Sequence, residues 1–318
     1  MPVVDDHTHL ESVLAVRVEG PDGDAAALAP VTLDDHLDRA AAVGVPRMVQ
    51  VGCDLDAARW TVAALTVDAA AAGDEPVPGD PARADGPVLR PGRRALLGAL
   101  AIHPNEAVLH AGVHEAAPDG LEPVPLPRHD LPLDEALARL ADLARGHDRV
   151  RAIGETGLDH FRAGPRGRAV QREAFRAHIA LAKELGLALQ IHDRDAHDEV
   201  VEVLLRDGAP ERTVFHCYSG DAAMAEVCAR EGWFLSFAGP VTFGANDGLR
   251  AALRTVPLDL VLVETDAPYL TPHPLRGRPN SPYVVPHTVR RIAQERELPL
   301  DQVCGALSAT AERVYGTW

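Results

Sequence analysis

The sequence predicts a (β/α)₈ TIM barrel from two observations. Eight short β-rich runs alternate with stretches of helical periodicity, and the chain is long enough to close eight such units around one core. At 318 residues, 46% hydrophobic and 25% charged, its composition is that of an ordinary globular protein. The runs are VVDDH (3–7), RMVQVG (47–52), LLGALAIH (96–103), VRAIGETGL (150–158), LALQIH (187–192), TVFHCY (213–218), WFLSFAG (233–239) and LVLVETD (260–266). Between them apolar residues recur at i, i+3 and i+4. The clearest case is Val170, Ala174, Phe175, Ile179, Ala182 and Leu185, followed by Gly186, where a helix stops. Strands alternating with helices demand a parallel sheet with right-handed crossovers. An open doubly wound sheet is the alternative.

Two stretches break the rhythm. Residues 73–95 hold five prolines and four glycines, and residues 111–132 hold five more prolines. Neither supports apolar periodicity, so both read as surface loop insertions, either lids or tolerated excursions. No linker or repeat divides the chain, and residues 1–318 read as a single domain.

Composition also limits the function. No run of eighteen apolar residues occurs, and the N-terminus shows no basic, apolar leader, so a soluble, unsecreted, cytoplasmic protein without membrane partners is expected. Cys53, Cys217, Cys228 and Cys304 are scattered without C-x-x-C spacing, which argues against a disulfide framework and a thiolate zinc site. The formal net charge of −16 opposes non-specific attraction to a polyphosphate unless cations or a local basic face reverse the field.

The stretch VVDDHTHLE places His7 and His9 one residue apart. With 15 histidines in the chain, about one H-x-H pair arises by chance, so the pair needs partners. On a strand, residues i and i+2 share a side, and both would project from the end of the first strand, where a barrel carries its active site. Glu155 falls near the end of the fourth strand, His192 at the end of the fifth, His216 at the end of the sixth and Asp266 at the end of the eighth. These strand ends converge on one mouth. Four imidazoles and two carboxylates without thiolates suit Zn, Mn, Mg or Fe and do not choose among them. Six ligands exceed what one catalytic zinc takes while keeping an open position, so two divalent metal ions sharing a carboxylate are the economical arrangement. Hydrolysis is the expected reaction class.

The motifs DDHTHL, AIHPNE, IGETGLD, QREAFRAHIALAKELG, IHDRDA, FHCYSG, LSFAGPVTF, LVETDAPYLTP and LRGRPNSP follow one another nearly end to end. In this order the chain resembles the TatD-related deoxyribonuclease family of metal-dependent hydrolases, within the amidohydrolase-like barrels. The resemblance implies a divalent metal site and a DNase activity in which a metal-activated hydroxide cleaves DNA or another phosphodiester. Carried residue by residue, it makes His7, His9, Glu155 and Asp266 ligands of one metal, and Glu155, His192 and His216 ligands of the second. Asp6, His160 and Thr310 depart from residues common in the family, and none of them is an expected ligand.

Other roles follow from position. Asp266 can accept the proton from water at the metal or serve as ligand alone. His103 can contact the substrate phosphate, polarise the leaving group, or support a ligand by a hydrogen bond. Asp159 and Glu264 read as orienting residues and His178 as a packed helix residue. Arg162, Arg166, Arg168 and Arg172 follow the fourth strand, and Arg194, Arg276 and Arg278 follow the fifth and eighth. They either offer a basic rim or, for the first four, merely balance nearby acids, with Arg194 and Arg276 the expected substrate contacts. The alternative on the same metal centre is hydrolysis of an amide, lactone or carboxylic ester, including aminoacyl-ester proofreading, which the acidic net charge favours. A non-catalytic protein with a structural metal fits less well, because the ligand set lies at the catalytic face.

Overall fold

The computed structural model describes residues 2–16, 31–66, 92–121 and 123–318. Each of the eight predicted runs contains a strand: β1 (Val4–Thr8), β2 (Arg47–Gly52), β3 (Leu96–Leu100), β4 (Val150–Asp159), β5 (Ala188–Arg194), β6 (Thr213–Phe215), β7 (Phe234–Phe237) and β8 (Val261–Val263). They pair in parallel in chain order. The seam closes where β1 meets the chain beyond β8. The Asp266 N–H donates to the His7 carbonyl (3.0 Å) and the His9 N–H to the Ala267 carbonyl (2.9 Å). The barrel is therefore the correct architecture, and the open doubly wound sheet is not.

The helices are α1 (Leu10–Ala15), α2 (Leu33–Ala42), α3 (Leu55–Leu65), α4 (Pro104–His110), α5 (Leu133–Arg145), α6 (Pro165–Leu185), α7 (His197–Asp207), α8 (Ala222–Glu231), α9 (Asp247–Thr255), α10 (Val285–Arg296) and α11 (Leu300–Tyr315). The periodic stretch from Val170 lies in α6, whose buried face includes Ala174, Phe175, Ile179 and Ala182. Gly186 ends the helix at φ +63°, a left-handed conformation that a β-carbon disfavours.

Alternation along the strands divides the core in two. Val49, Val51, Leu97, Ala99, Val214 and Leu262 pack together inside the barrel. Met48, Leu96, Leu100, Leu189, Ile191 and Leu235 face outward against the helices. The inner cluster includes Ala311, Val314 and Tyr315 of α11, which plug its lower end. The Tyr315 hydroxyl donates to Asp6 Oδ2 (2.9 Å) and accepts from Gln190 Nε2 (2.7 Å), and Ser236 Oγ donates to Asp6 Oδ1 (2.6 Å). Burial pushes the Asp6 carboxyl well above the ordinary range, and the departure at this position places a buried acid in a polar layer with Ser236, Gln190 and Tyr315.

Several strands stop sooner than their apolar runs. β3 ends at Leu100, β6 at Phe215 and β8 at Val263, so His103, His216 and Asp266 lie in the loops just past the strand ends. At His103 the reason is Pro104, which opens α4 and has no N–H for a sheet ladder.

Within the first insertion, residues 73–91 lie outside the described residues. The second, 111–132, is tied down at several points. Arg128 donates to both carboxylate oxygens of Glu106 (2.7 and 3.1 Å) and lies 3.3 Å from Asp54. The Gly167 N–H donates to Glu115 Oε1 (2.6 Å). This segment is a strap fastened to the loops after β2, β3 and β4, which its lack of periodicity did not reveal.

Candidate metal centre

Two glycines set the position of Glu155 on β4. A β-carbon at Gly157, where φ is +144°, would lie 2.1 Å from the His192 carbonyl oxygen, and one at Gly154 would lie 2.4 Å from Gln190 Cβ. The G-E-T-G run thus lets β4 press against β5 and brings the Glu155 carboxylate beside His192.

That carboxylate is the centre of the cluster. Its Oε2 lies 2.5 Å from His216 Nε2 and 3.1 Å from His192 Nδ1. Its Oε1 lies 3.7 Å from His9 Nε2 and 4.0 Å from His103 Nε2. Asp266 Oδ1 approaches His9 Nε2 at 3.4 Å. The His7 ring stacks on His216 with centroids 3.9 Å apart and meets His9 edge-on at 5.1 Å. All six expected ligands, His7, His9, Glu155, His192, His216 and Asp266, therefore meet at one mouth.

Their electrostatics suit a cation. Burial opposes ionisation of Glu155, yet His216 and His192 hold its carboxyl well below the ordinary range. Burial also works against charge on His9 and His192, but it is outweighed at His9 by Asp266 and Glu155 and at His192 by Asp159 and Glu155, and each rises to about 9. His216 rises well above its ordinary value, with burial overcome chiefly by Glu155. These protons balance carboxylate charge that a divalent cation would balance equally, using the same donor atoms.

His7 differs. Burial and the nearby His216 push it well below its ordinary value, and both of its buried ring nitrogens lack a hydrogen-bond partner. A buried polar atom without a partner is costly, and ligation of one nitrogen would relieve that cost. The donor set fits the group it is expected to hold. His7 with His216 and Asp266, His7 with His9 and Glu155, and His103 with Glu155 and His192 each place candidate ligand atoms within 4.8 Å of one another.

Hydrogen-bond polarity distinguishes the histidines further. His9 Nδ1 lies 3.2 Å from the Val51 carbonyl and His216 Nδ1 lies 3.3 Å from Glu264 Oε1. Both Nδ1 atoms face acceptors outside the ligand set, so Nε2 is the nitrogen that would give up its proton to a cation. Glu264 also accepts the Cys217 N–H (2.8 Å), and Asp159 lies 3.4 Å from His192 Nε2 and accepts from Asn105 Nδ2 (3.0 Å). Both acids touch the cluster as orienting residues.

A further triad, Glu106, His110 and His129, also has metal-like spacing. There the Leu126 N–H donates to His129 Nδ1 (2.8 Å), so His129 Nε2 carries the proton and gives it to Glu106 (2.7 Å). With Arg128 on the same carboxylate, this triad is the clasp of the strap.

The expected basic rim is partly corrected. Arg162 pairs with Asp119 (3.1 Å), Arg172 with Glu199 (2.5 Å), and Arg168 donates to the carbonyls of Ala163 and His160. An acid of the 111–132 segment, an acid of α7 and two nearby carbonyls occupy these side chains. Arg194 and Arg276 are exposed and stack on Phe161 (3.9 Å) and Phe243 (4.2 Å), with no salt bridge among the described residues. His178 is buried and accepts the Ile102 N–H (3.1 Å), as a packed residue should.

Sequence reasoning missed two neighbours of the cluster. Cys53 Sγ lies 3.3 Å from Glu155 Oε1; its place directly after β2 was the available signal. Tyr269 is 57% exposed and sits edge-on to His9 at 6.1 Å, three residues after Asp266. A cavity of about 510 Å³, lined by Val3, Gly44, Val289, Arg290, Leu300 and Asp301, opens among residues preceding β1 and β2, away from the cluster.

A parallel eight-stranded barrel with histidines and carboxylates gathered on and just past its strands at one mouth is the architecture of a metal-dependent hydrolase. The chain belongs to the TatD related DNase family, whose family model matches residues 4–316. It is 37% identical over 318 residues to an uncharacterized metal-dependent hydrolase TatD of Mycobacterium tuberculosis, covering 99% of this chain and 98% of that protein. It is 34% identical over 213 residues to the uncharacterized metal-dependent hydrolase YcfH of Escherichia coli K12, covering 66% of this chain and 74% of that one. The fold is shared with the TatD homolog YjjV of Escherichia coli K12 (TM-score 0.72, 22% identity, 99% of this chain and 98% of that chain). It is shared also with a lactonase from Listeria monocytogenes (TM-score 0.57, 14% identity, 100% and 95%). No helix among the described residues is long and apolar enough to cross a membrane.

Proposed function

We propose that this chain is a single-domain, cytoplasmic deoxyribonuclease that hydrolyses phosphodiester bonds at a pair of divalent cations. His7, His9, Glu155 and Asp266 would hold one, and Glu155, His192 and His216 the other. The observation that carries this reading is the division of Glu155: Oε2 faces His216 and His192, while Oε1 faces His9. A carboxylate with a different imidazole set at each oxygen would serve both positions.

When bound, the cations lower the pKa of a coordinated water and neutralise charge developing on the substrate's oxygens. Asp266, whose Oδ1 lies 3.4 Å from His9 Nε2, would accept the proton or act as ligand alone. Arg194 and Arg276, each stacked on a phenylalanine, would pair with substrate phosphates. The free cysteines suit a reducing compartment.

The second reading is hydrolysis of a carboxylic ester, lactone or amide at the same centre. The net charge of −16 favours it, since a small carbonyl substrate meets no field penalty. A screen of single-stranded DNA, RNA, small phosphodiesters, lactones and aminoacyl esters decides between the two. DNA cleavage that chelation abolishes and divalent ions restore is expected; a kcat/KM for any carbonyl ester above that for every phosphodiester would replace this reading with the second.

A further inference from the structure

We propose that His103 is a fixed hydrogen-bond donor, through Nε2, to the substrate oxygen on which negative charge develops, and that it is not a metal ligand. The proposal rests on the hydrolytic reading of the cluster and holds for a phosphoryl or a carbonyl oxygen alike.

His103 sits at the junction of β3 and α4 as the residue capping the helix. Its Nδ1 accepts the Asn105 backbone N–H at 3.1 Å. A nitrogen that accepts an amide proton carries none itself, so the proton of the neutral ring resides on Nε2. That atom points toward Glu155 Oε1 at 4.0 Å, beyond hydrogen-bonding distance. The ring packs edge-on against His192 with centroids 4.5 Å apart, which fixes its direction. The side chain retains 15% exposure, so the Nε2–H meets whatever enters the mouth.

Ligation through Nε2 would require moving the proton to Nδ1, against the Asn105 N–H, so the short distances joining His103, Glu155 and His192 do not make His103 a ligand. What remains is an N–H aimed at the reaction centre, the arrangement by which an imidazole polarises an oxygen by hydrogen bonding. His9 and His216 have the opposite polarity, with Nδ1 facing an acceptor and Nε2 turned inward.

The test uses His103→Asn and His103→Gln in the full chain. Asn keeps an oxygen to cap the Asn105 N–H but removes the inward donor, whereas Gln extends an amide N–H toward the place of Nε2. We expect both variants to keep the wild-type metal content, kcat of His103→Asn to fall about 10²–10³-fold with little change in KM, and His103→Gln to recover part of the loss. In the ¹⁵N-histidine NMR spectrum, His103 should show a protonated Nε2 and a bare Nδ1 both without metal and loaded with Zn²⁺. Loss of metal by His103→Asn, loss of the Nε2 proton on Zn²⁺ addition, or full activity of His103→Asn would each overturn the proposal. Metal content and tautomer are read without substrate, so a finding that the protein cleaves esters rather than DNA would remove the nuclease reading and leave this one to be judged on the ester.

Discussion

Glu155 Oε2 lies 2.5 Å from His216 Nε2, the tightest contact between candidate ligands in the cluster. The pair comes from β4 and the end of β6, the two strands that flank β5 in the sheet. The nearby Glu264 supports His216 from its far side, at 3.3 Å from Nδ1.

Glu264→Ala should therefore weaken divalent-cation binding about 10–100-fold, since His216 would lose the acceptor that fixes its tautomer. Glu264→Gln, which keeps an oxygen for the Cys217 N–H, should lose less. Calorimetric titration of the metal-stripped variants checks this, and affinities equal to wild type would show that His216 needs no such support.

Arg276→Ala should weaken binding of single-stranded DNA and reduce the slope of log K against log salt by about 0.7. Stacking on Phe243 places the guanidinium without neutralising it, which leaves its charge for a phosphate. Fluorescence titration of a labelled oligonucleotide at several salt concentrations measures the slope. An unchanged slope would remove Arg276 from the substrate contacts.

Asp5 offers a test of pH dependence. Burial lifts its carboxyl from the ordinary 3.8 to about 8, although Thr265 donates to it through N (2.8 Å) and Oγ1 (2.6 Å). A group with a raised folded-state pKa contributes stability that is fully present below the unfolded value and is lost as pH rises through the folded one. Relative to Asp5→Asn, whose neutral amide can keep both contacts, the metal-free wild type should lose up to about 1.4 kcal/mol per pH unit between about pH 5 and 8. Urea melts across that range should converge at low pH. Parallel curves would contradict a neutral Asp5.

Tyr315→Phe removes the hydroxyl that joins α11 to Asp6 and Gln190. Buried partners left without it should cost about 1–3 kcal/mol of stability. Thermal unfolding should register a lower Tm while metal content stays at the wild-type level; an unchanged Tm would mean that the polar layer reorganises without the plug.

Much of this was legible in the sequence for a physical reason. Strands buried on both faces read as apolar runs, and eight of them spaced by helical periods leave few topologies. His7, His9, Glu155, His192, His216 and Asp266 could be gathered from sequence because parallel strands all deliver their ends to one rim. The strap at 111–132 was harder to read, since its order comes from ion pairs such as Arg128 with Glu106 and from the Gly167 N–H on Glu115, which leave no periodic trace. Pairing of Arg162 and Arg172 with distant acids is equally invisible along the chain. Nor does a histidine in a sequence reveal its tautomer: His103 is separated from His9 and His216 by a backbone N–H two residues away.

The most direct measurement is elemental analysis of the native chain beside Glu155→Ala. Two divalent ions per wild-type chain, with both lost from the variant, are the expected result, because one carboxylate serves both positions. A native protein without divalent metal, or a Glu155→Ala variant that retains the full complement, would contradict the shared centre.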